Sequence, residues 1–194
     1  MGYPQGLRAW FRRSSLLRPG LRILDAGCGS GIVTLALRDA LCERGMEPAA
    51  LNAFDLTPAM LEHFRSTLED RGIEEIELQR ANVLALEELP QTWRDYDLVV
   101  TASMLEYVPR ERFADALAGL RARLAGDGAL ILFITRNNWL MKPLIGRWWD
   151  AELYTRQELE AAFAQAGFSA LSFHRFSPAF RHLDLWGHIV EARP

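Results

Sequence analysis

Short runs of aliphatic and β-branched residues alternate along this chain with longer stretches in which apolar positions recur every three or four residues. Strand-like and helix-like periods in that alternation mark a parallel sheet covered by helices on both faces. Residues 5–17 predict a helix with Leu7, Trp10, Phe11 and Leu17 at helical spacing, and Pro19-Gly20 stop it. Leu21 to Asp25 predicts a first strand. A glycine loop follows, and Ile32 to Glu43 continues as a helix closed by Gly45. Ala49 to Phe54 predicts a second strand, ending at Asp55. Thr57 then caps a helix with Pro58 at its first position, running through Met60, Leu61, Phe64 and Leu68 to Gly72.

Ile76 to Ala81 and Tyr96 to Thr101 predict the third and fourth strands. A helix after Pro109 carries Phe113, Leu117, Leu120 and Leu124, and Gly126-Asp127-Gly128 turns the chain into a fifth strand, Ala129 to Thr135. Residues 136–150 break the pattern. They hold Trp139, Met141, Trp148 and Trp149 with the breakers Pro143 and Gly146, a connection longer than compact domains usually carry without a use. Thr155-Arg156-Gln157-Glu158 is a capping box that opens a helix ending at Gly167. Phe168 to Phe176 and Leu183 to Ala192 predict two closing strands joined by a turn containing Pro178. No repeat or linker interrupts this order, so residues 1–194 are expected to form one domain, with an N-terminal helix in 1–19 and an inserted lid at 136–150.

Composition narrows the class. The 194 residues are 49% apolar and 24% charged, ordinary globular values, and the chain is long enough to bury a core. A net charge of −3 supplies no global attraction to nucleic acid or anionic lipid. No apolar run approaches the roughly 18 residues of a membrane span. The first twenty residues contain Arg8, Arg12, Arg13 and Arg18 and do not read as a signal peptide. Cys28 and Cys42, the two cysteines, make neither a disulfide framework nor a metal motif; the expectation is a cytoplasmic protein with reduced thiols and no metal.

The candidate chemistry lies in Asp25-Ala26-Gly27-Cys28-Gly29-Ser30-Gly31. Glycines let a backbone turn sharply and approach a ligand where a Cβ would collide, and the helix that follows offers unpaired amides. In a doubly wound sheet such a loop lies at the carboxyl ends of the strands, where ligands bind. The dinucleotide spacing Gly-x-Gly-x-x-Gly is not met, because Ile32 or Thr34 stands where its third glycine belongs. A nicotinamide-dependent oxidoreductase on a similar fold is therefore the weaker alternative. A non-catalytic cofactor-binding or assembly module is another.

The segment Leu21 to Gly31 resembles motif I of the class I S-adenosylmethionine-dependent methyltransferases. The likeness extends through Asp55 to Leu61, Tyr96 to Ser103 and the turn Leu124 to Leu130. It implies a Rossmann-like α/β fold, a doubly wound seven-stranded sheet, mostly parallel with an antiparallel last strand. It implies S-adenosylmethionine as cofactor, leaving as S-adenosylhomocysteine. By the same resemblance Gly27, Gly29 and Gly31 let the backbone pass the cofactor, and Asp25 holds the loop or the cofactor's ammonium group through water. Asp55 accepts from the two ribose hydroxyls. Leu56 and Met60 lie near the adenine. Asn82, with Val83, occupies the place of the family's usual acid, its amide oxygen still able to accept from the adenine amino group, and Thr101 flanks the methionine end.

Methyl transfer from a sulfonium needs orientation more than acid–base help, unless the acceptor must lose a proton. Glu106 and Tyr107 follow the fourth strand and are candidates to orient or deprotonate an acceptor; the alternative is a helix cap and a packed ring. His182 is the third catalytic candidate, beside a purely structural role. Trp139, Trp148 and Trp149 with Arg136 and Asn137 are the candidate substrate-binding group, or else a packed helix or dimer contact. Thr101-Ala102-Ser103-Met104 stands where amino-base methyltransferases carry Asn/Asp-Pro-Pro-Tyr, which makes nucleic acid a minor reading. The expected partner is a small-molecule methyl acceptor, bound by a monomer or homodimer.

Overall fold

The computed structural model describes residues 2–136 and 152–194. Among the described residues seven strands form: β1 (Arg22–Ala26), β2 (Ala50–Asp55), β3 (Ile76–Arg80), β4 (Tyr96–Ala102), β5 (Leu124–Thr135), β6 (Ala170–His174) and β7 (Gly187–Arg193). They pair in the order β3-β2-β1-β4-β5-β7-β6. The first five are mutually parallel, and β7 runs antiparallel to both β5 and β6. The strand order reverses at β1, between β2 and β4, and that switch point opens a crevice at the strands' carboxyl ends.

Successive side chains of the central strands point to opposite faces, and both faces are apolar because both are covered. Ile23, Leu51, Val100 and Ile131 pack against helices α1 (Tyr3–Arg13), α2 (Ile32–Glu43) and α3 (Pro58–Asp70). Leu24, Phe54, Val99 and Leu130 face the other way, toward α4 (Phe113–Arg121) and α5 (Arg156–Gln165). In α5 the Thr155 hydroxyl accepts the Glu158 amide at 3.3 Å and the Glu158 carboxylate accepts the Thr155 amide at 2.7 Å, the expected capping box.

Four local expectations are corrected. α1 starts at Tyr3 rather than residue 5, because Pro4 fits a first helical turn, and it ends at Arg13 rather than 17. There Ser14 turns extended and its hydroxyl accepts the Leu16 amide, a local bond that competes with the helix. Thr57 occupies the cap position of α3 without a side-chain cap bond; its amide is taken by Asp55 instead. The turn Gly126-Asp127-Gly128 is absorbed into β5, with a register shift opposite Tyr96–Leu98. Finally, Pro178–Leu185 is a 3-10 segment and β7 begins only at Gly187. Leu183 is buried under α1 instead of extending the strand; a Cβ at Gly6 would stand 2.4 Å from Leu183 Cδ1.

That close approach sets the position of α1. Arg8 reinforces it by pairing with Asp39 and Glu43 on α2, and the pairing holds the amino end of α1 over the crevice. Cys28 is buried, Cys42 is exposed, and both are free thiols. Among the described residues no helix is long and apolar enough to cross a membrane.

Candidate functional site

The loop between β1 and α2 bends through three glycines of positive φ: Gly27 at 75°, Gly29 at 53° and Gly31 at 85°. The Gly27 and Cys28 amides both donate to the Phe54 carbonyl, at 2.8 and 2.9 Å, and so fasten the loop to the end of β2. The three glycines serve different ends. A Cβ at Gly27 would lie 2.2 Å from Met104 Cγ, and one at Gly31 would lie 2.1 Å from the Phe64 ring. At Gly29 a Cβ would meet none of the described residues within 4 Å. Gly31 is thus required by packing, and Gly29 faces open space.

That space is a cavity of about 760 Å³ bounded by the glycine loop and the ends of β2, β3 and β4. Asp55 stands at its edge, with Oδ2 accepting the Gly29 amide and Oδ1 the Thr57 amide, both at 2.8 Å. Leu56 and Met60 border it, with Ile32 and Tyr107, and each of these four side chains is about half exposed. Large apolar side chains gathered and exposed around a cavity are a ligand-site feature. Asn82 and Val83 line the wall beyond β3. The Asn82 Oδ1 accepts the Leu84 amide at 3.0 Å, so the oxygen expected to face a ligand already serves the backbone with one lone pair.

Asp25 does not line the cavity. It is buried one layer beneath, where Oδ2 accepts the Thr34 hydroxyl at 2.5 Å and Oδ1 has no partner among the described residues. Burial pushes its carboxyl up to about 7; the Thr34 bond opposes this and the charge of Asp55 adds to it. Thr101 is also buried, its hydroxyl without a partner among the described residues, and stays inside β4, in register with Ala26; Ala102 and Ser103 reach the cavity in its place.

A second cavity of about 340 Å³ adjoins the first, and Tyr3 and Ser103 line both. Ser103 sits just past β4 with φ 51°, unusual for a residue other than glycine. Tyr3 comes from the first turn of α1. Its phenol is pushed up by burial and by the nearby carboxylates of Glu106 and Asp25, and the Ser103 hydroxyl counters this. His182 and His188 both line the second cavity with Phe133, Phe176 and Trp186. Arg136 does not line it, but donates Nε–H to His188 Nδ1 at 3.3 Å and Nη1–H to the Asp184 carbonyl at 3.0 Å. Burial, with Arg136 and Arg156, pushes His188 down to about 4.

Glu106 reaches neither cavity. It is 4% exposed and accepts from Thr135, amide to Oε2 at 3.0 Å and hydroxyl to Oε1 at 3.2 Å, binding the ends of β4 and β5 together. Burial raises its carboxyl; the Thr135 bonds and the Ser103 hydroxyl oppose that rise. Tyr107 stands at the first cavity's rim, so the two neighbouring candidates are divided between core and site. Asn137, Trp139, Trp148 and Trp149 lie outside the described residues. Tyr3, Ser103 and His188 escaped the sequence reading. Tyr3 precedes the expected helix, Ser103 ends the fourth-strand likeness without a role of its own, and the bond that fixes His188 joins residues 52 positions apart.

A family model for the methyltransferase domain matches residues 23–128. A ubiquinone biosynthesis O-methyltransferase of Paracidovorax citrulli is 33% identical over 61% of this chain and 44% of its own length. A methoxy mycolic acid synthase of Mycobacterium tuberculosis is 23% identical over 91% of this chain and 63% of its own. The chain spans about half the length of the curated relatives it matches. Among solved structures, PigF with SAH superposes with a TM-score of 0.78 at 20% identity, covering 100% of this chain and 56% of PigF. The magnesium protoporphyrin IX methyltransferase of Synechocystis PCC 6803 with bound SAH gives 0.71 at 21% identity, covering 100% and 84%. These likenesses extend the shared fold over residues beyond the family match.

Proposed function

The chain belongs to the methyltransferase-domain family, and on that footing we propose that it transfers a methyl group from S-adenosylmethionine to an O, N or C atom of a small, partly apolar molecule. The observation that carries this reading is the pair of adjoining cavities that share Tyr3 and Ser103, the larger one bounded by the glycine loop. One site accommodates a methyl donor and the other an acceptor, and their shared wall is where the two would meet.

The residues of the larger cavity fit the cofactor. Gly29 leaves open space where any side chain would intrude. Two amides fix Asp55 and leave lone pairs for the ribose hydroxyls. Leu56, Met60 and Val83 offer apolar contact to the adenine, and Asn82 retains its second lone pair for the amino group. The unpartnered Oδ1 of Asp25 supports a role beneath the loop, toward the ammonium group through water. Gly27 and Gly31 keep the loop in shape; Thr101 belongs to its support rather than to the wall. When bound, the cofactor supplies an electrophilic methyl on a sulfonium that leaves as a neutral thioether.

Tyr107 orients ligands at the rim, and His182 contacts the acceptor. Glu106 is a positioning residue: through Thr135 it holds the wall of the second cavity. Two free thiols support a cytoplasmic setting. Calorimetric titration with S-adenosylmethionine and S-adenosylhomocysteine tests the proposal. Micromolar binding of both is expected, and no binding of either at about 1 mM overturns it.

A further inference from the structure

The second cavity has a chemical character of its own. Its walls carry the aromatic rings of Phe133, Phe176 and Trp186 beside the Tyr3 phenol, and among the described residues no Asp, Glu, Lys or Arg lines it. Two imidazoles are its most basic groups. One of them has a fixed proton: Arg136 Nε can only donate, so His188 Nδ1 must accept, and the imidazole's hydrogen resides on Nε2. A proton added at Nδ1 would break that bond and set a cation against the guanidinium. His188 is therefore a neutral hydrogen-bond donor. Tyr3 and Ser103 add hydroxyls at the end shared with the larger cavity.

We propose that this cavity is the acceptor site and that it selects a neutral, ring-bearing molecule. Phe133, Phe176 and Trp186 hold the ring, the His188 imidazole donates to an oxygen on it, and Tyr3 and Ser103 face the atom that takes the methyl group. The proposal rests on the methyl-transfer reading and adds the class of acceptor. Three observations support it. The volume of about 340 Å³ lies at the low end for small-molecule pockets, which suits a compact ring system over a long chain. The aromatic walls match a flat apolar body. Among the described residues none in the wall is a cation, so these residues would desolvate a carboxylate or phosphate without offering it a charged partner, which opposes its binding.

The probes are 2-naphthol and 2-naphthoate, alike in ring size; at pH 7 the first is neutral and the second an anion. Their fluorescence anisotropy would be followed on titration with protein saturated with S-adenosylhomocysteine, so that the larger cavity is filled. Naphthol is expected to bind at least about tenfold more tightly than naphthoate. Trp186→Leu and His188→Asn should each weaken naphthol about fivefold or more, with calorimetric binding of S-adenosylhomocysteine unchanged. Trp186 is about half exposed, so its replacement is compatible with folding, and the unchanged calorimetric binding verifies the fold of both variants. Equal or tighter binding of naphthoate overturns the proposal. So does naphthol binding that neither substitution alters, and so does the failure of both probes to bind. If S-adenosylhomocysteine itself does not bind, it is the methyl-transfer reading that fails.

Discussion

The carboxylate of Asp55, at the end of β2, accepts the amide of Gly29 at 2.8 Å, and both residues line the larger cavity. Its other oxygen accepts the Thr57 amide, so one side chain ties the glycine loop to the start of α3. Asp55→Ala removes two charge-assisted bonds and the proposed ribose contact together. The expected result is a loss of about tenfold or more in S-adenosylhomocysteine affinity by calorimetry, with stability lower by about 1–3 kcal/mol in urea unfolding.

The three loop glycines should separate by phenotype. Gly31→Ala drives a Cβ into the Phe64 ring from a left-handed backbone, and about 2–4 kcal/mol of stability should be lost. Gly29→Ala has no neighbour to strike and should cost only about 1–2 kcal/mol of backbone strain, yet reduce cofactor affinity more than Gly31→Ala does in its folded fraction. Thermal melts beside calorimetry read both quantities, and the same order of effect in each would contradict this division of roles.

Asp25 makes stability depend on pH in the direction opposite to a salt-bridged carboxylate. Its folded value of about 7 lies above the ordinary 3.8, so the folded state holds the proton longer than the unfolded one. Its contribution is intact below about 4 and declines as pH rises to 7, by on the order of 4 kcal/mol. Asp25→Asn, which can still accept from Thr34, should flatten that slope and melt higher than wild type at pH 8. Parallel slopes from pH 4 to 8 would refute the buried-carboxyl account.

His188 acts on the acid side. Its folded value of about 4 lies below the ordinary 6.5, so the unfolded chain takes up the proton first as pH falls. Stability is complete above 6.5 and declines toward 4. The imidazole is partly solvated, and the loss is expected to be about 1–2 kcal/mol. His188→Asn should reduce the drop in melting temperature between pH 7 and pH 4.5, and an unchanged drop would assign acid sensitivity to other groups.

The order of strands and helices was readable because each segment is amphipathic or doubly buried at its own period, and the glycine loop because its spacing is local. Asp55, Leu56 and Met60 were readable for the same reason, since they follow a strand end directly. What escaped depends on contacts remote in sequence. Tyr3 reaches the site only because Gly6 admits Leu183 beneath α1. Glu106 belongs with the core because Thr135, 29 residues away, takes both its oxygens. The apolar character of Leu183 fits a strand, while its burial under α1 goes with a 3-10 segment.

Hydrogen exchange of the backbone amides with and without S-adenosylhomocysteine tests the central claim most directly. The account predicts slowed exchange confined mainly to residues 26–31, 55–60 and 82–84, with no such protection from NADH. Protection elsewhere alone, or none at a saturating concentration, would contradict the assignment of the glycine loop and Asp55 as the cradle of the methyl donor.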